Sequence, residues 1–358
     1  MCDNRSAHAC NGHTGIQVQR SAPGGAACIG DDGIRVVDGS DRSIGIAVSM
    51  LRAGHLVALP TETVYGLAAD ASNPVAVSRV FAAKGRPADH PLIVHLGTGA
   101  NLADWARHIP DEAFRLAGAF WPGPLTMVLE RHPSVLDEVT GGLDTVALRV
   151  PSHQVAQRIL RVFGGGLAAP SANRFGRVSP TTAQDVCASL GSGVNLVVDG
   201  GPCEVGVEST IVAFGRDEVA ILRPGGVSPE AIARVLGRRA RLTAHGQMRV
   251  PGMLASHYAP ATTLELCSGE QVRGRARSLV LGGRRVGVLS LAKTEVAGAA
   301  VLWDAGGEVD VLARSLYRVM READREALDV LVVELPPDEG LGVAIRDRLR
   351  RAAHRGDS

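Results

Sequence analysis

The chain has 358 residues, 45% hydrophobic and 21% charged, an ordinary globular composition with room for two domains. Its formal net charge of +1 argues against bulk electrostatic attachment to nucleic acid, though not against a small anionic ligand. The sequence has no apolar run long enough to span a bilayer and no apolar signal core at its N-terminus. Its cysteines (2, 10, 28, 187, 203 and 267) are scattered without a CxxC pair, so a soluble, reducing, cytoplasmic setting is expected.

Residues 1–38, rich in Gly, Ser, Asn and Ala without sustained period, read as a flexible extension. Cys2, His8, Cys10, His13 and Cys28 fall there, but their spacing fits no standard zinc pattern. From Asp41, "DRSIGIAVSMLRAG" places Ile44, Val48 and Leu51 on one helical face, with Gly54 as the stop. "LVALP" (56–60) is a short strand. The next helix opens with Asn73 as cap and Pro74 at its first position, and closes at Gly85. "PLIVHL" is a strand, followed by helical runs at 100–108 and 111–120, a "WPGP" turn and the strand "LTMVLE". "TVALRV", "LAAPS", "NLVVD", "STIVAF" and "VAILRP" read as strands, with helices near 153–163, 181–190 and 228–237. This alternation predicts an α/β fold with a partly antiparallel sheet over residues 39–237. Residues 238–262 have neither period and read as a linker; 263–358 form a smaller α/β unit.

The segment "AAKGRPADHPLIVHL" (82–96) gathers Lys84, Arg86, His90 and His95 beside an apolar run. The chain holds only two lysines, Lys84 and Lys293, against 36 arginines. A compact ammonium and a planar guanidinium are not interchangeable at a tight site, so Lys84 stands out. Neither lysine is preceded by Gly, which removes a P-loop; "GGGLAA" (164–169) leads into a strand, the wrong context for a dinucleotide fingerprint. HExxH and GxSxG are absent as well. What remains is a set of polar clusters at strand ends: "PTETVYGL" with Thr61, Glu62, Thr63 and Tyr65; "PSANRFGRVSPTT" with Ser171, Asn173 and Ser179; "VGVEST"; and "LRPGG" with Arg223. Each taken singly is an ordinary turn or cap. Together they match the rule that ligands of open α/β sheets bind beyond strand ends, and hydroxyls with a few cations suit a polyoxygenated anion.

In order along the chain, "LPTETVYGLAADA", "KGRPADHPLIVHL", "WPGPLTMVL", "VALRVPSH", "APSANRFGRVSPTT", "VGVESTIV" and "ILRPGGVS" resemble the successive motifs of the YrdC-like fold. "PGMLASHYAP" resembles the linker of the two-domain threonylcarbamoyl-AMP synthases, and "GLGVAIRDRLRRAA" the end of their small, Rossmann-like C-terminal domain. The resemblance implies an enzyme joining L-threonine, bicarbonate and ATP into L-threonylcarbamoyl-AMP and pyrophosphate. Its product would serve the proteins that modify adenosine 37 of tRNAs reading codons that begin with A. It implies that Thr63, His95, Arg149, Ala169 and Ser209 line a threonine pocket. Arg86, His90, Thr145, Ser171, Ser179, Arg223 and Tyr258 would hold ATP, with Asn173 and His257 as additional candidates. Lys84 and Arg86 would be catalytic, neutralising charge where bicarbonate, carbamate and phosphates meet. Mg²⁺ would arrive with ATP, held by phosphates and water and not by a protein metal site.

Two positions depart from the family pattern: His90 stands where many relatives carry Asn, and the linker has Ser256 where an aromatic or basic residue often precedes the His. A double-stranded RNA-binding or regulatory YrdC-like protein is the alternative, which leaves room for a weak RNA contact; near-neutral charge and hydroxyl-rich loops weigh against RNA binding as the main role. A carbamoyl-transfer maturation factor would carry paired zinc-finger cysteines, which this chain does not.

Overall fold

The computed structural model describes residues 28–29, 34–215, 218–243 and 258–354. The chain begins with β1 (Cys28–Ile29), β2 (Arg35–Val37), α1 (Asp41–Arg52), β3 (Val57–Leu59), β4 (Gly66–Asp70) and α2 (Pro74–Lys84). Next come β5 (Ile93–His95), α3 (Asp111–Phe120), β6 (Leu125–Glu130), α4 (Asp137–Thr140), β7 (Thr145–Arg149) and α5 (Gln154–Phe163). β8 (Leu167–Ala168), α6 (Ala183–Leu190), β9 (Leu196–Val198), β10 (Thr210–Phe214), β11 (Val219–Arg223), α7 (Pro229–Leu236) and β12 (Arg241–Leu242) follow. A further run comprises β13 (Thr263–Cys267), α8 (Gly269–Leu281), β14 (Val286–Ser290), β15 (Val301–Asp304), α9 (Val309–Arg325), β16 (Val330–Glu334) and α10 (Gly342–Ala353).

Among the described residues β1 to β12 join one mixed sheet in the order β1-β2-β9-β3-β4-β8-β5-β7-β6-β10-β11-β12. The later strands form a separate parallel sheet, β13-β16-β14-β15. Two apolar cores flank the larger sheet. One packs Leu67, Val94, Met127 and Leu148 with Val77 and Val80 of α2 and Leu116 of α3. The other packs Val57, Leu59 and Leu196 with Ile44, Val48 and Leu51 of α1 and Ile159 and Leu160 of α5. The core of the smaller sheet is built on α9 and α10, and it takes in Val64, Val178 and Val207 from the first unit. The two units therefore share buried apolar surface, the dominant favourable term in packing.

Local chemistry sets the element ends that matter for the site. Asn73 caps α2 through Val75 and Ala76, with Pro74 where its missing N–H is harmless. At the other end Gly85 takes a left-handed φ of 61°, so the chain turns immediately after Lys84. Two sequence expectations fall differently. Helix was expected over 100–108, but only a 3₁₀ turn, Leu102–Asp104, forms; the Ala106–Arg131 bridge then draws the chain into the sheet region. Within the expected extension 1–38, residues 35–37 are instead strand β2, held in the sheet by the buried flanks Ile34 and Val37. The metal candidates Cys2, His8, Cys10 and His13 lie outside the described residues.

The "RPGG" turn after β11 crosses the chain before β10 so closely that a Cβ on Gly225 would stand 2.3 Å from the Glu208 carbonyl oxygen. Gly225→Ala must push these backbones apart. It is expected to destabilise the protein by about 1–3 kcal/mol, the usual range for overpacking, read as a lower urea midpoint.

Candidate functional site

The central strands share one edge. β5 and β7 run parallel with His95 opposite Arg149 at their ends. β6 and β10 begin on this edge, and β11, antiparallel to β10, ends there at Arg223. Ser209, the residue just before β10, lines a hollow beside this edge; β8, antiparallel to β5, runs away from the edge, so that Ala169 to Ser171 line the same hollow from beside Ile93, where Lys84 projects from the end of α2. The pocket is lined by Thr61, Val64, Gly66, Lys84, Arg86, Ile93, His95, Arg149, Ala169, Pro170, Ser171, Asn173, Phe175, Glu208, Ser209, Arg223 and Tyr258. Its free volume is about 50 Å³. Ligand sites usually enclose roughly 300–1,000 Å³, so lining side chains must give way to admit a ligand of that size.

Ten of the residues that the resemblance assigns to the site line this pocket: Lys84, Arg86, His95, Arg149, Ala169, Ser171, Asn173, Ser209, Arg223 and Tyr258. Three more touch the lining. Thr63 Oγ1 is 2.9 Å from Thr61 Oγ1, Ser179 Oγ donates to Glu208 Oε1 at 2.8 Å, and the His90 ring stands edge-on to Phe175. Thr145 lies at the opposite end of β7 from Arg149 and is not part of the lining. His257 lies outside the described residues.

Burying so much positive charge is unfavourable unless each cation is answered. Lys84 Nζ donates to the carbonyls of Ser171 and Asn173, both at 2.5 Å. Burial, with Arg86 adding to it, pulls the Lys84 pKa well below the ordinary lysine value. Arg86 donates to the Pro91 carbonyl at 2.9 Å; burial brings its pKa down to about 10, opposed by Tyr258 and reinforced by Arg223. Arg223 holds Ser209 through its carbonyl (Nη2, 2.8 Å) and its hydroxyl (3.1 Å). Arg149 Nη2 stands 2.8 Å from Glu62 Oε1 as a buried ion pair, without the alignment of a hydrogen bond. Arg86 Nε, Arg149 Nε and His95 Nδ1 are buried without a hydrogen-bond partner among the described residues. Such donors are costly in isolation and are satisfied by a ligand rich in acceptors.

Sequence reasoning did not single out Glu208, Phe175 or Arg348 as site residues. Burial alone would raise the Glu208 pKa, but Arg348, Arg223 and the bonds from Arg348 and Ser179 bring it down to about 2. Its signal was a carboxylate just before an apolar strand. That of Arg348 was a cation inside the stripe Ala344, Ile345, Leu349 and Ala352, where a helix normally presents apolar groups. Among the described residues no group of three or more His, Cys, Asp and Glu could hold a metal ion, and no helix is long and apolar enough to cross a membrane.

His95 gives a testable electrostatic consequence. Burial and the neighbouring Arg149 depress its pKa to about 3, against a weaker opposing pull from the Ile93 carbonyl, which favours the protonated ring. The unfolded chain takes up this proton near pH 6.5 and the folded chain only near pH 3. The His95 contribution to stability is therefore intact above about pH 6.5 and is lost progressively as pH falls toward 3. In an NMR titration the His95 ring resonances should stay at neutral-form positions from pH 8 to pH 5, and His95→Gln should flatten the acid limb of the stability curve.

Comparison with known proteins fits this arrangement. The Sua5, YciO and YrdC family model, described as "Telomere recombination", matches residues 49–225. The model of the "Threonylcarbamoyl-AMP synthase, C-terminal domain" matches residues 227–354. A threonylcarbamoyl-AMP synthase of Pyrococcus abyssi is 40% identical over 321 residues, covering 87% of this chain and 94% of that protein. One of Bacillus subtilis is 41% identical over 324 residues, covering 88% and 94%. The crystal structure of P. abyssi Sua5 complexed with L-threonine superposes with a TM-score of 0.83 at 38% identity, over 89% of this chain and 97% of that one. A variant of P. abyssi Sua5 with a His and a Tyr replaced by Ala gives 0.84 at 37% identity, over 89% and 96%. With that identity sustained across both matched regions, this chain belongs to the threonylcarbamoyl-AMP synthase family.

Proposed function

We infer that the chain is an ATP-dependent synthase condensing L-threonine and bicarbonate into a carbamate and adenylating it, to give L-threonylcarbamoyl-AMP and pyrophosphate. One observation carries the reading: Lys84, Arg86, Arg149 and Arg223, with neutral His95, converge on a single pocket, where Arg86 Nε, Arg149 Nε and His95 Nδ1 lack hydrogen-bond partners among the described residues. All the reacting species except threonine's ammonium are anions. In the first step the free amine attacks the bicarbonate carbon and water leaves, forming a carbamate. A carbamate oxygen then attacks the α-phosphorus of ATP, and pyrophosphate departs. Side chains need form no covalent bond; they position the reactants and neutralise charge.

The residues divide into two ends. Arg149, held by Glu62, offers its fork to the threonine carboxylate, with His95, Ala169, Ser209 and Thr63 shaping the space around the side chain. Arg86 and Arg223, with Ser171, Ser179, His90 and Tyr258, serve the nucleotide; Thr145, away from the lining, is left out of this group. Lys84 stands between the two ends, where approaching phosphate and carbamate oxygens favour its charged form and offset the effect of burial. Glu208, the carboxylate in the pocket lining, and Glu62, paired with the lining residue Arg149, are already committed to arginines. The donor set therefore suits a Mg²⁺ ion brought in on the triphosphate and not one caged by protein. A cytoplasmic location and delivery of the adenylate to tRNA threonylcarbamoyl-transfer proteins complete the reading.

The test is pyrophosphate release by purified protein with threonine plus bicarbonate and with each omitted. Release that requires both, with a threonine-bearing adenylate in the mass spectrum, is the expected result; release indifferent to threonine would sink the assignment. Lys84→Arg should lower kcat by about 10- to 100-fold, because a planar fork does not fit between the Ser171 and Asn173 carbonyls. Arg149→Lys should raise the threonine KM about tenfold or more, with less effect on the ATP KM, since the bidentate grip on a carboxylate is lost. Initial-rate kinetics in each substrate separate the two.

A further inference from the structure

Tyr258 lines the pocket, yet much of what fixes its ring comes from the second unit. It is 1% exposed with a φ of +63°, a backbone state uncommon for a non-glycine residue. Its ring stacks on Tyr317 of α9, with centroids 5.8 Å apart and planes at 25°. The Arg348 guanidinium of α10 lies 5.2 Å from its centroid.

Arg348 is wholly buried. Its Nε donates to Glu208 Oε2 at 2.7 Å, its Nη1 to Asp347 Oδ2 at 2.5 Å, and its Nη2 to the Pro224 carbonyl at 2.9 Å. The Tyr317 hydroxyl donates to the same Glu208 carboxylate, 3.0 and 2.8 Å from its two oxygens. Glu208 and Pro224 adjoin Ser209 and Arg223, so one guanidinium fastens both chain segments from which those residues project. It also supports the ring of Tyr258, and through Glu208 it reaches Ser179. The equivalent ion pair around Arg149 is made within the first unit, by Glu62.

We propose that Arg348, assisted by Tyr317, is the positioning residue through which the C-terminal unit organises the nucleotide end of the pocket, while the threonine end is organised without it. This rests on the assignment of Arg223, Ser179 and Tyr258 to ATP. Arg348 touches no substrate in this scheme. It holds the ring of Tyr258 against the pocket, and it holds the "ESTI" and "RPGG" segments in register.

The test compares wild type with Arg348→Met, Tyr317→Phe and the double variant Arg348→Met/Glu208→Gln. The readouts are ATP and threonine KM values, kcat, and dissociation constants for a fluorescent ATP analogue and for threonine. Arg348→Met should raise the ATP KM and the analogue Kd about tenfold or more while threonine Kd stays within about twofold, because a buried pair is broken on one side only of the pocket. Tyr317→Phe keeps the stacked ring and should shift ATP in the same direction by a smaller factor. If Arg348→Met fails to fold, the double variant, which removes both charges of the pair, supplies the comparison and should keep the weakened ATP binding. An ATP affinity equal to wild type in folded Arg348→Met or the double variant would overturn the proposal. So would a parallel loss of threonine and ATP affinity, the mark of a merely structural role. A wild type that shows no threonine- and bicarbonate-dependent pyrophosphate release would overturn the functional assignment and this proposal together, whereas the former outcomes leave the assignment standing.

Discussion

The arrangement depends on how buried positive charge is compensated. Lys84, Arg86, Arg149, Arg223 and Arg348 are all at most 8% exposed and lie in or against one region of the molecule. Five such cations would tear a small core apart unless carbonyls and carboxylates answered them. The chain does this with two buried glutamates, Glu62 and Glu208, and with the carbonyls of Pro91, Ser171, Asn173, Ser209 and Pro224. Each of these carbonyls belongs to a residue that lines the pocket or lies within two positions of one that does. Charge compensation and loop placement are thus one problem, and a loop that strays leaves a buried cation unanswered.

Leaving part of the compensation to the ligand is what makes such a site selective. The unpartnered nitrogens of Arg86, Arg149 and His95 are fixed before any ligand arrives, so a polyanion meets donors that need little reorganisation. The depressed His95 pKa belongs to the same design. As a neutral ring it can accept or donate one hydrogen bond, and adding another charge next to Arg149 would repel the residue assigned to the carboxylate.

Much of this was legible along the chain. Asn73-Pro74 and Gly85 bracketed α2, and the end of that helix placed the exceptional Lys84 next to the strand carrying His95. The hydroxyl clusters at strand ends pointed to the loops that meet here. Two kinds of feature were not legible. The turn at Leu102–Asp104 carries a helix-like sequence, and its fate is decided by the bridge from Ala106 to Arg131, a contact between residues distant along the chain. Glu208 and Arg348 are separated by 140 positions, so neither announces its partner. Position on a helix reveals that Arg348 is misplaced for a solvated cation, but only the tertiary fold says what it answers.

That pairing bears on why the two units are joined at all. An interface made of apolar contacts alone, such as Val64, Val178 and Val207 against the α9 and α10 core, would tolerate small slippage, because the hydrophobic effect is non-directional. A guanidinium with three directed bonds, to Glu208, Asp347 and Pro224, does not. The buried charge pair therefore adds little to affinity between the units, given what desolvation takes away, and much to their register. Register is what the pocket requires, since Tyr258 and Arg223 both line it, and Arg348 of the second unit contacts the ring of the one and the carbonyl next to the other.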